Sequence, residues 1–117
     1  MPSLDHSLFP EKVESGEKRC TIRKKRKSPI KVGHALHHFT GPRNKSRRKL
    51  GVTVCTKTTP IVIKGNRVYL ADQDLSPEEI IDLAREDGFA TGSDFLAYFD
   101  LQMDPETLSF EGDVIRW

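Results

Sequence analysis

The sequence predicts an α+β fold, a small antiparallel β-barrel flanked by helices. Three observations lead there. Residues 48–64 are rich in Val, Ile and Thr, as strands require, and Arg67–Leu70 returns as another strand. A strong helix start, Ser76-Pro77-Glu78-Glu79, opens a change of character in the second half. The element order is helix, several strands, two helices and a last strand, which sets helices to one side of an antiparallel sheet. The 117 residues make one domain, 1–117, with enough chain for a single core.

Each element has its own signal. In residues 7–16, SLFPEKVESG, Phe9 and Val13 are four apart on a short amphipathic helix that Gly16 ends. In RCTIR, 19–23, Cys20 and Ile22 alternate with Arg19, Thr21 and Arg23 across a strand, which Ser28-Pro29 breaks. A turn over Lys31–His34 leads into a strand over Ala35–Thr40. In RKLGVTVCTKTTPIVIK, Leu50, Val52 and Val54 mark an apolar face, and Pro60 demotes or bends the middle. Gly65-Asn66 turns a hairpin into Arg67–Leu70.

Ser76 caps the next helix, with Ile80, Leu83 and Ala84 as its stripe and Asp87-Gly88 as its stop. A further helix, about 92–101, starts from Thr91 or Ser93 and turns Phe95, Leu96, Tyr98 and Phe99 inward. LSFEGDVIRW reads as the last strand.

Charge is segregated. Residues 1–68 carry 17 Lys/Arg against 4 Asp/Glu, and residues 69–117 carry 2 against 13, for a net +2. A basic side of that strength attracts polyanions through counterion release. It equally serves attraction between the two halves. No apolar leader opens MPSLDHSLFPEK, and no run long enough to span a membrane follows. A cytoplasmic protein is expected, with Cys20 and Cys55 as reduced, buried thiols.

Three clusters could carry chemistry. Lys18, Thr21 and Arg23 lead into Lys24, Lys25, Arg26 and Lys27. An ammonium beside a hydroxyl favours its deprotonation, so the cluster is either an activated threonine or a polar strand face beside a basic loop. FTGPRNKSRRKLG holds Arg43, Lys45, Arg47, Arg48 and Lys49, whose forks suit phosphates, or is a solvated hairpin loop. Phe39 beside it is a base-stacking or a core aromatic. Glu86 and Asp87 end a helix, where the dipole disfavours carboxylates and functional ones are sought. His34, His37 and His38 lack a nearby Cys or carboxylate at ligand spacing, and neighbouring strand residues point to opposite faces, so neither a metal nor a cofactor is expected.

Gly16-Glu17-Lys18-Arg19-Cys20-Thr21-Ile22-Arg23 resembles the G-x-K-x-x-T-I-R signature of the ASCH domain family, part of the PUA-like superfold. Ile30-Lys31-Val32-Gly33, Phe39-Thr40-Gly41-x-Arg43, Arg48-Lys49-Leu50-Gly51 and Asp87-Gly88-Phe89 continue the likeness over nearly the whole chain. The arginine-rich loop resembles a phage and prophage subgroup. The resemblance implies a small PUA-like barrel with a cleft lined by the signature, and RNA binding. It also implies alternatives: hydrolysis of N4-acetylcytidine by Lys18, Thr21 and a carboxylate, or ribonuclease activity. Asp87 aligns best with that carboxylate, with Glu86 adjacent, and is shorter than the family's Glu. His34 stands where the family usually has Asp, and takes no role. A free nucleoside needs no basic footprint, whereas an RNA chain does. Single-stranded nucleic acid, RNA above all, is therefore the expected partner, with a nucleoside substrate as the alternative.

Overall fold

A computed structural model describes residues 3–6, 8–41 and 47–117. The element order is β1 (Ser3–Asp5), α1 (Pro10–Ser15), β2 (Cys20–Lys24), β3 (Ala35–Thr40), β4 (Arg48–Val54), β5 (Lys57–Lys64), β6 (Arg67–Leu70), β7 (Gln73–Asp74), α2 (Pro77–Glu86), α3 (Gly92–Asp100) and β8 (Phe110–Arg116). The fold is α+β. The described strands form a three-stranded sheet, β1-β3-β4, and a five-stranded sheet, β2-β8-β5-β6-β7. No helix among the described residues is long and apolar enough to cross a membrane.

The five-stranded sheet is apolar on both faces, because adjacent residues of β8 serve different cores. Val114 joins Cys20, Ile22, Ile61, Ile63 and the inner faces of α2 and α3. Ile115 joins Leu4, Ile30, Leu36 and Cys55 in a smaller cluster with Trp117. Gly112 is required in β8: a Cβ there would lie 2.1 Å from the Arg23 carbonyl oxygen of β2. Pro60 does not break β5. Its carbonyl accepts from the Ala71 amide just beyond the first β5–β6 pair, Ile61–Leu70, so its missing N–H lies where β6 has ended.

Helix α2 starts at the predicted capping box, with both Ser76–Glu79 bonds formed. Thr91, not Ser93, caps α3, accepting from the Asp94 amide. Helix α1 is shorter than expected. It starts at Pro10 because Phe9 takes a left-handed conformation, φ 56°. The Phe9 ring holds that strain in place, edge-on to Phe89 at 5.0 Å and against Gly88.

Of the apolar face expected of Leu50, Val52 and Val54, only Leu50 is half-buried, and the two valines point outward. Val52 and Val54 are 50% and 56% exposed. In the β3–β4 register Leu36 faces Thr53 and His38 faces Gly51, so the buried face of β4 carries its small and polar residues. The sequence pattern gave no sign of β1, three residues that pair parallel to His37–Phe39.

Candidate functional site

Strand β2 is the edge of the five-stranded sheet, and the candidate site opens beside it. Lys18, two residues before β2, is buried. Its Nζ donates to the Asp87 carbonyl oxygen at 2.6 Å and to the Asp87 carboxylate. Lys12 of α1 donates to the Gly88 carbonyl at 2.8 Å. Two ammonium groups thus sit on the C-terminal end of α2, where the helix dipole favours cations. This arrangement explains a carboxylate at a helix C-terminus: Lys18 offsets both the dipole and the charge. Burial still pushes the Asp87 carboxyl up, with Lys18 and Arg23 opposing.

Thr21 is buried and Arg23 half-buried on the same face of β2. Arg23 Nε donates to Thr21 Oγ1 at 3.0 Å, and its Nη2 donates to the Asp5 carbonyl at 2.8 Å. The fork of Arg23 is therefore fixed by β1 and β2 together. Beyond it, His6 Nε2 and His38 Nδ1 share a hydrogen bond of 2.8 Å, and His38 Nε2 meets Thr53 Oγ1 at 2.7 Å. Burial, then the Arg23 charge, lowers His6 to about 3 and His38 to about 4, so both rings are neutral at pH 7.

Lys18, Thr21, Arg23 and Asp87 line one cleft of about 140 Å³, which His6, Phe89, Tyr98 and Phe99 wall and Gln102 edges. The cleft is polar along β2 and aromatic opposite. That combination suits a planar group with polar edges. Thr21 accepts from a guanidinium, so its own proton is free to be donated, and an alkoxide there would be stabilised.

The other predicted residues are spread around this centre. Glu86 is not in the cleft. It is exposed and accepts from Arg116 Nε at 3.2 Å. Successive residues at the end of a helix point about 100° apart, so Glu86 and Asp87 cannot both face the site. Lys24 ends β2, and Lys25, Arg26 and Lys27 follow it, all exposed. Lys25 pairs with Asp113 at 2.8 Å, while Lys24, Arg26 and Lys27 have no ion-pair partner among the described residues. Arg43 and Lys45 lie outside the described residues.

Arg47 donates to Asp5 at 3.0 Å and lies 3.8 Å over the Phe39 ring, so Phe39 already stacks on a guanidinium. Arg48 pairs with Glu14 at 2.6 Å, and Lys49 is exposed. His34 Nδ1 accepts from the Lys31 amide within the predicted turn. Among the described residues no group of three His, Cys, Asp or Glu is placed to hold a metal. Burial pushes the Cys20 thiol up to about 12, which makes it inert packing beside the site.

Sequence reasoning missed Asp5, in a three-residue strand with too little pattern to read, and His6 just after it, and it assigned Tyr98 to the core alone. The chain matches no known protein family model, and no curated protein or solved structure is significantly similar to it.

Proposed function

We propose that the protein is an ASCH-type, PUA-like domain that binds single-stranded RNA and takes one unpaired base into the cleft beside β2. In this reading the two sheets are parts of one small barrel. The observation that carries it is the continuity of β2. The strand places Thr21 and Arg23 in a cleft of about 140 Å³ and then runs directly into Lys24, Arg26 and Lys27, exposed cations without partners among the described residues. Base-sized aromatic walls beside a row of cations are the two parts that single-strand binding needs, one for stacking and one for phosphates. The test is equilibrium binding of a short single-stranded RNA of mixed sequence at rising salt. Affinity much tighter than millimolar at low salt, falling steeply with salt, supports the reading. Millimolar affinity or indifference to salt overturns it.

A second reading is hydrolysis of an N4-acylated cytidine. The buried Lys18–Asp87 pair beside Thr21–Arg23 favours it, because a binder does not need that much buried polarity in so small a cleft. Thr21 would be the nucleophile and Arg23 the group stabilising negative charge on the acyl oxygen. The test is incubation with N4-acetylcytidine and, for the ribonuclease alternative, with labelled RNA. Turnover that Thr21→Ala abolishes supports catalysis; no turnover of either substrate removes it.

A further inference from the structure

Gln102 follows α3 and borders two cavities. One is the cleft. The other, about 260 Å³, is lined by Lys24, Lys25, Asp104, Thr107, Ser109 and Glu111 as well. The two share Gln102 and both reach β2, where Arg23 lines the first and Lys24 the second.

The segment that builds the second cavity is internally braced. The Asp104 amide donates to the Ser109 carbonyl at 2.9 Å and the Leu108 amide to the Asp104 carbonyl at 2.7 Å. The Asp104 carboxylate accepts from the Glu106 amide at 2.8 Å. Leu108 takes a left-handed φ of 55° at the turn. Ser109, buried, donates its hydroxyl to Thr107 Oγ1 at 3.0 Å, which leaves the Thr107 proton for another acceptor. Asp113 occupies Lys25 at 2.8 Å, while Lys24 has no partner among the described residues.

This lining mixes hydroxyl, carboxylate and one available cation. Asp104 and Glu111 disfavour a phosphate inside the cavity, but they accept hydrogen bonds from sugar hydroxyls. Lys24 suits a phosphate at the edge. We propose that the second cavity is a ribose subsite for the nucleotide next to the one in the cleft. Thr107 and Glu111 engage its 2′-hydroxyl, and Lys24 holds the connecting phosphate. The site then distinguishes RNA from DNA, because the 2′-hydroxyl is the group that differs between them. The inference rests on the RNA-binding reading above.

The test compares a ribonucleoside monophosphate, a diribonucleotide and the matching dideoxyribonucleotide. Each is titrated against the full chain, its Lys24→Gln variant and a Thr107→Ala, Glu111→Gln double variant. All three substituted side chains are exposed, and a circular dichroism melt checks that each variant folds. The expected result is at least tenfold tighter binding of the diribonucleotide than of the monophosphate. Most of that gain is lost with the DNA dinucleotide. The double variant binds the two dinucleotides alike, and Lys24→Gln weakens both. Equal affinity for monomer and dimer, or for RNA and DNA dinucleotides in the unsubstituted chain, overturns the ribose subsite and leaves the single-base cleft standing. Absence of binding by all three ligands, together with no binding of a longer RNA strand, overturns the RNA reading itself.

Discussion

Lys18 and Asp87 stand 69 positions apart and meet in a buried ion pair. Taking two charges out of water is costly, and removing one leaves the other uncompensated. Lys18→Met is therefore expected to lower stability by about 3–5 kcal/mol in urea unfolding, with Lys18→Met/Asp87→Leu recovering most of the loss. The histidine pair sets a second expectation. His6 and His38 are held below the ordinary 6.5, at about 3 and about 4, chiefly by burial. The unfolded chain thus binds more protons than the folded one between about pH 6.5 and the folded values. Their contribution is complete above about pH 6.5 and is lost as the pH falls toward 4, at up to about 1.4 kcal/mol per pH unit for each ring. Melting temperature measured across that range is expected to fall with acid, and the acid-dependent part is expected to shrink in His38→Gln. At this scale the sequence was half legible. Lys18, Thr21 and Arg23 could be read because they share a short stretch of chain. The buried ion pair could not be read from spacing, and Asp87 joined Lys18 in one site only through the family resemblance. Thr21 is bonded by Arg23 and Lys18 by Asp87, and the Lys18 contact is a product of tertiary packing.

The elements position these groups by close approach. β2 reaches Arg23 into the cleft because Gly112 of β8 lets the Arg23 backbone lie against it. Gly112→Ala would drive a methyl into that carbonyl, so β2 and β8 must separate locally. The expected outcome is a loss of several kcal/mol, comparable to severe overpacking, and weakened RNA binding beyond what the stability loss accounts for. Binding measured well below the variant's melting temperature checks the second part. The helices were the most legible elements, since caps and stripes are local signals: Ser76, Thr91, Ile80 and Leu83 all act as their residue types require. The β4 face was misread because alternation gives a period without saying which side is buried. There the inner side is set by Leu36 and His38 of β3.

Over the whole molecule, the basic first half and the acidic second half meet in three described ion pairs, Lys18–Asp87, Lys25–Asp113 and Arg67–Asp74. Arg116–Glu86 lies within the acidic half, and Arg47–Asp5 and Arg48–Glu14 lie within the basic half. The segregation seen in the sequence therefore serves cohesion in part. Several exposed cations have no ion-pair partner among the described residues, Lys31, Lys49, Lys57 and Lys64 included, and Lys24, Arg26 and Lys27 gather three more where β2 ends. Composition alone could not separate these two uses of the same charge. The α+β class followed from element order, whereas the two-sheet arrangement depends on β1, which has no sequence signature. The most direct test of RNA binding along β2 is the slope of log affinity against log salt for a short single-stranded RNA. It is compared between the unsubstituted chain and Lys24→Gln/Arg26→Gln/Lys27→Gln. Three lost phosphate contacts are expected to make the slope shallower by about 2, at roughly 0.7 per contact on a single strand. An unchanged slope in the triple variant would contradict the account.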